Sequence, residues 1–255
     1  MAEPKLELDD YVDIDTLKQI EDDETKILGY NVAFTRLDGS IITRGSDYTS
    51  RRLLSGSCAF LARFPNGFYE CQRSDDEACK FVVNNRRSLL YRCRGGFSNF
   101  AIPIEIDKRI IACMFGGQFL VLEPKRANQK QHFEDFCRDH EIHLREGLGR
   151  VIKDGFFFRG EQIDESQVEE IAKTCGIDVS ERDEFVRVYK REFSLRSGRV
   201  FNVETFMRDF AHLEVITKLL SSIGQKIPRL EGKSNSEYRT PPNHGKKDDG
   251  PLKRW

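Results

Sequence analysis

The chain has 255 residues, 38% of them hydrophobic and 33% charged, with 41 Lys plus Arg set against 42 Asp plus Glu for a net charge of -1. That length buries a sizeable core as one large domain or two small ones without disulfide staples. The even balance of charge excludes the strongly basic excess from which nucleic-acid binding is usually argued, so nucleic acid is not expected as a partner.

The opening stretch "MAEPKLELDDYVDIDTLKQ" is acidic where a secretion signal is basic and then apolar, and no run of about 18 apolar residues follows. A soluble, cytoplasmic protein without membrane contact is expected, its residues 1–12 forming an N-terminal arm. From Ile14 to Leu28 the apolar positions Ile14, Leu17, Ile20, Ile27 and Leu28 follow helical spacing, with Asp13 or Asp15 as cap and Gly29 as stop. In "YNVAFTRLDGSIITRG" the pair Asp38-Gly39 between two β-rich runs predicts a hairpin. A short helix is expected within Ser50–Arg63. In "FYECQRSDDEACKFVV" Ser74 and Glu77 form a capping box ahead of Ala78, Phe81 and Val82, which predicts a helix from Ser74 to about Asn85.

"FSNFAIPIEIDKRIIACMFGGQFLV" reads as a second hairpin, turning at "IDKR", with Gly116-Gly117 marking either a bulge, a close approach or an ordinary bend. Helices resume after Glu123-Pro124, and "DESQVEEIAKTCGI" carries a further capping box, Ser166 with Glu169, before Gly176. The longest helix, Val203 to about Ile223 with Asn202 as cap, has a stripe of Phe206, Phe210, Leu213, Ile216 and Leu220. That stripe suits either core packing or a homodimer seam. Beyond Gly224 the Pro, Gly, Ser and Lys content predicts a disordered basic tail, residues 224–255.

Chemistry points first to cysteine. The seven cysteines, at 58, 71, 79, 93, 113, 137 and 175, are an odd number, which argues against a complete disulfide framework and leaves free thiols, metal ligands or redox groups. A helix starting at Ser74 would set Cys71 at its positive end, lowering the thiol pKa; the alternative is a small apolar side chain under a turn. Cys58, Cys71 and Cys93, with Cys79 as a fourth ligand, would suit a soft metal or an iron-sulfur cluster, although no C-x2-C pair supports it. His132, His140 and His143 fall close together on what reads as a charged helix, and no G-x-S-x-G, P-loop or H-E-x-x-H pattern occurs.

Taken together, "LDGSIIT", "SCAFLARFPNGFYECQRSDDEA", "LLYRCRGGFSNFAIPI" and "GGQFLV" resemble the PocR family of sensory ligand-binding domains. Cys58, Cys71, Tyr91, Cys93, Gly96, Pro103 and Gln118 carry the likeness, and a weaker similarity runs through "GIDVSERDEF" to the final helix, about residues 13–223. The resemblance implies an α+β fold: a PAS-like antiparallel sheet flanked by helices, with a long C-terminal helix and a disordered tail. It implies a non-enzymatic signal-input module whose small organic ligand touches Cys58, Cys71, Tyr91, Cys93, Arg94, Phe97 and Gln118 around one cavity. Where the family commonly has histidine this chain has Arg94, which would favour an anion. No helix-turn-helix or kinase accompanies the domain in the sequence. Output is therefore expected through a separate protein or a homodimer along Val203 to Ile223, with the cysteine-based metal or redox sensor as the alternative and a thiol enzyme as a third.

Overall fold

The computed structural model describes residues 6–43, 56–145, 157–158, 165–194 and 200–226. Helix α1 (Ile14–Leu28) begins where the sequence places it: the Asp13 carboxylate accepts from the Thr16 amide at 2.8 Å, and Gly29 closes the helix at φ 75°. Leu8, Tyr11 and Val12 are buried in the main core, and Arg36 binds Glu7 and Asp9 at 2.8 and 2.7 Å.

Strand β1 (Asn31–Thr35) leads into the expected turn, in which the Asp38 carboxylate accepts from the Ser40 amide and hydroxyl and Gly39 takes φ 81°. The return strand reduces, within the described residues, to a bridge between Thr35 and Ile41, and β1 makes its ladder with a later strand instead. Helices α2 (Gly56–Leu61) and α3 (Pro65–Asn85) follow; the rest of the short helix expected in Ser50–Arg63 lies partly outside the described residues.

The start of α3 corrects the sequence expectation. It begins nine residues before Ser74, with Pro65 in its first turn, where a missing N–H does no harm. A Cβ at Gly67 would lie 2.3 Å from the Leu61 carbonyl oxygen, so glycine there lets α3 leave α2 at close quarters. Ser74 is internal: its hydroxyl donates to the Glu70 carbonyl one turn back.

Strands β2 (Ser88–Arg92), β3 (Ser98–Ile106) and β4 (Arg109–Val121) form an antiparallel meander. The β3–β4 turn is two residues, Asp107 and Lys108, both left-handed, as the twist of a tight hairpin requires. Helix α4 (Ala127–Asp139) crosses to β5 (Ile142–Arg145), which pairs parallel with β2. After α5 (Glu165–Thr174, so that Ser166 lies inside its first turn) and α6 (Val179–Glu192), β6 (Val200–Phe201) adds a second parallel pairing, on β4. The sheet order is β1-β4-β3-β2-β5, with β6 beside β4. This is a PAS-like antiparallel core extended by two parallel strands that periodicity alone does not disclose.

Period-two alternation divides the sheet into two buried faces. Leu90, Phe100, Ile102, Ile104, Ala112 and Met114 point to the layer containing α1, α4 and the final helix α7 (Val203–Lys226); Leu89, Tyr91, Ala101, Cys113 and Phe115 point to α3. A third cluster, Cys58, Phe60, Phe97, Leu120, Ile171, Phe185 and Tyr189, packs α2, α5 and α6 at one end.

Helix α7 is capped by Asn202, whose side chain accepts from the Thr205 amide at 2.8 Å. Phe206, Phe210, Leu213 and Leu220 are at most 3% exposed, packed in the chain's own core. They cannot form the dimer seam the sequence allowed, because their surface is already covered. Nor does the helix stop at Ile223: it runs to Lys226, and a Cβ at Gly224 would lie 2.0 Å from Ile106, so glycine lets it pass the β3–β4 hairpin. Of the expected tail, residues 227–255 lie outside the described residues.

Candidate ligand-binding site

Most of the sequence-predicted site residues gather around the loop between β2 and β3. Tyr91 is fully buried, and its hydroxyl donates to Asp75 of α3 at 3.2 Å. Burial, reinforced by the Asp75 charge, holds the phenol pKa well above its usual value, so Tyr91 acts as a neutral hydrogen-bonding group. Ser74, also fully buried, accepts weakly from the Arg94 amide at 3.4 Å, tying the loop to α3.

Cys71 and Cys93 come near one another here, joined by Cys175 at the end of α5: the charged form of Cys71 is disfavoured by the other two, and that of Cys175 by Cys93. Because α3 starts at Pro65, Cys71 sits in the second turn and gains no helix-terminus help. Burial pushes its pKa well above the ordinary thiol value, with Cys93 adding to the effect. Cys93 is likewise raised, chiefly by burial, although contacts from the Phe97 and Gly95 amides and the Asn99 side chain pull the other way. Cys175 is pushed up to about 12 by burial. All three are thiols at neutral pH, the form least suited to nucleophilic attack or metal ligation.

Arg94 does not wait for an external anion. Its Nε lies 2.6 Å from Glu70 and its Nη2 3.7 Å from Glu77, while Arg73 contacts the same two carboxylates. The Nε–H is buried and not aligned as a hydrogen bond, so the contact with Glu70 is an ion pair only. Two arginines and two glutamates thus neutralise one another between α3 and the β2–β3 loop, in place of the anion preference expected for Arg94.

Gln118 is the bulged residue of β4, at φ 67°, where Ser98 pairs with Phe119 but Asn99 pairs with Gly117. Its amide donates to Asn99 and its side chain accepts from Asn31. Asn99, passed over in the sequence, therefore connects Gln118 to the loop, since its own amide donates to the Phe97 carbonyl at 3.1 Å and it contacts the Cys93 sulfur. An asparagine inside a β-rich run was the available signal, because Asn is depleted from strands unless its side chain bonds the backbone.

Cys58 and Phe97 are not on this face. Both lie in the α2–α5–α6 cluster, where Phe97 stacks on Tyr189 and Phe193 at 5.1 and 4.5 Å, and Cys93 touches both sides. Cys79 belongs with Cys113 under α3, in contact with the Thr35 hydroxyl at 3.8 Å. The proposed set of Cys58, Cys71, Cys93 and Cys79 is therefore divided among separate clusters, and among the described residues no group of three or more His, Cys, Asp or Glu side chains is placed to hold a metal ion. The histidines also part company. His140 binds Glu214 of α7, while His143 lies on β5 and stacks on Phe81.

A small cleft of about 20 Å³, room for about one water, lies at the end of the sheet between Arg92, Leu120, Phe158, Gln167, Val168, Ile171 and Tyr189. None of the predicted residues lines it. Arg92, one step out of phase with Tyr91 and Cys93 along β2, does.

A six-stranded sheet flanked by helices, with buried polar partners under α3, is the frame of the domain. The comparison with protein families makes this specific: the sensory domain found in PocR matches residues 10–151, more than half of the chain, and the chain belongs to that family. The weaker similarity read towards the final helix lies beyond the matched residues. No curated protein matches the chain, and no solved structure does. Among the described residues no helix is long and apolar enough to cross a membrane.

Proposed function

We propose that the chain is a cytoplasmic, non-enzymatic sensor that takes a small organic molecule at the α3-covered face of its sheet and signals through a separate output protein or a second copy of itself. The observation that carries this reading is the Tyr91–Asp75 hydrogen bond, a polar pair set in a buried apolar layer beside Cys71, Cys93 and the Arg94 loop. Family membership supports the sensory role. Raised thiol pKa values weigh against the alternative thiol-enzyme reading, which needs a thiolate, and the lack among the described residues of a cluster placed to hold a metal ion weighs against the metal-sensor reading.

The test is a metabolite library screened by thermal shift. A true ligand raises the melting temperature in proportion to the logarithm of its excess over Kd and is recovered unchanged. Tyr91→Phe, which removes one hydroxyl and little volume, should weaken such a ligand about tenfold. Chemical conversion of the hit would overturn the non-enzymatic reading; affinity unchanged in Tyr91→Phe would move the site off this face.

A further inference from the structure

We propose that Cys79 of α3 and Cys113 of β4 form a reversible disulfide under peroxide, a redox-set lock between the helix and the sheet. Neither residue belongs to the group around Cys71 and Cys93, and the inference does not rest on the ligand-binding reading.

Three elements bring the two sulfurs together. Cys113 lies directly opposite Thr35 of β1, so their side chains share one face of the sheet. The Thr35 hydroxyl lies 3.4 Å from the Cys113 carbonyl oxygen, to which it donates, and 3.8 Å from the Cys79 sulfur. Cys79 enters the same buried cluster from α3, within hydrogen-bond reach of the Cys113 thiol. Its own S–H donates to the Arg36 carbonyl at 3.7 Å, which leaves its sulfur lone pairs for Cys113. Both are free thiols at 0% exposure, and a disulfide needs two such side chains directed at one another.

The oxidant is a hydroperoxide. The Cys79 sulfur attacks one peroxide oxygen, releasing water and leaving a sulfenic acid; the Cys113 sulfur then displaces that hydroxyl as a second water. Two thiols lose two hydrogens and two electrons, and one hydrogen peroxide becomes two waters. The hydrogen bond with Cys79, together with burial, holds the Cys113 pKa well above the ordinary thiol value, so the pair reacts slowly at rest. The turn after β1 lies over Cys79: Arg36 accepts its proton, and Leu37 packs against the cluster while only partly buried. Opening of that turn admits the peroxide, so the lock answers sustained oxidant and not a brief pulse. Cys79 is one turn along α3 from Asp75, the partner of Tyr91, so the cross-link would fix the helix that carries that bond.

The test is a peptide map of the full chain after hours in hydrogen peroxide under native conditions. Trypsin cuts after Arg73, Lys80, Arg109 and Lys125, which leaves each of the two cysteines alone in its peptide. Without reductant, these two peptides should appear joined, two hydrogens lighter than the separate pair, and ahead of any other cysteine link. Dithiothreitol should separate them. The oxidised chain should melt several degrees higher, because a link across a long loop restricts the unfolded chain. Cys79→Ser, which keeps a donor for Arg36, should abolish both link and rise, whereas Cys71→Ser should leave both. Where a variant fails to fold, the map of the natural chain decides. Thiols that stay reduced in native peroxide, a link formed only in denaturant, an earlier link of Cys71 to Cys93 or Cys175, or an unchanged melting temperature would each overturn the proposal.

Discussion

Glu21 is the side chain on which acid and base act most directly. It sits on α1 at 3% exposure, with one carboxylate oxygen accepting from the Phe34 amide and the other from the Thr43 hydroxyl, each at 2.5 Å. Burial raises its pKa from 4.5 to about 7, against the opposing pull of those two bonds. A carboxyl whose folded pKa exceeds its unfolded value takes up a proton on folding. Its contribution is therefore complete below about pH 4.5 and is lost as pH rises through about 7, roughly 3 kcal/mol at most. Glu21→Gln keeps an acceptor for Phe34 and can donate to Thr43. Its melting temperature at pH 8 should exceed that of wild type, with the difference vanishing near pH 4.5; a variant less stable at pH 8 would mean the ionised form is the favoured one. Gly116 is sensitive for a steric reason: a Cβ there would lie 2.0 Å from the buried Phe100 ring. Gly116→Ala should cost about 1–3 kcal/mol, read as a fall of several degrees in melting temperature; an unchanged value would show that the ring can move aside. Single residues were the least legible part of the sequence. Tyr91 and Cys93 were found from the family likeness, whereas Arg92 and Asn99, whose roles depend on which strand lies opposite, were not.

Helices were legible in proportion to how local their signals are. Asp13 and Gly29 around α1, and Asn202 ahead of α7, act through bonds to residues within one turn, and the structure keeps them. The start of α3 depends on how closely Gly67 passes Leu61, a contact between two elements, and the local capping signal at Ser74 was overridden. Helix α7 posed the same difficulty in another form: an apolar stripe does not say what covers it. The structure covers one stripe with the sheet and leaves Val215 and Leu219 more than half exposed on the other side. Phe210→Glu should therefore unfold the chain or lower its melting temperature steeply, since it sets an unpaired charge in the core. Leu219→Glu should change stability by no more than about 0.5 kcal/mol. Paired chemical denaturation of the two variants checks this, and similar losses in both would mean that the outer side of α7 is covered as well.

Across the whole molecule, the fold class was readable because two central strands are consecutive: β3 and β4 read as one hairpin, while β2, which completes the meander over residues 88–121, was not read as a strand. The pairing of the sheet's outer strands was not readable. Strand β1 reaches β4 by pairing Asn31 with Gly117, and β5 returns beside β2 after α4 has crossed the sheet, both arrangements fixed by packing far along the chain. That order has a kinetic consequence. Short loops close at small entropic cost and long ones at more, so the meander can assemble as a unit before either outer strand is recruited. Reversal should follow the same hierarchy, with local opening beginning at the margins. Native-state hydrogen exchange in low denaturant should find the slowest amides on β3 and β4 and a lower opening free energy for β1 and β5; equal protection throughout would mean a single all-or-none unit. On this ordering the inner hairpin is the part of the domain that persists longest when the rest lets go, and the two packed faces of the sheet come apart from their outer strands inward.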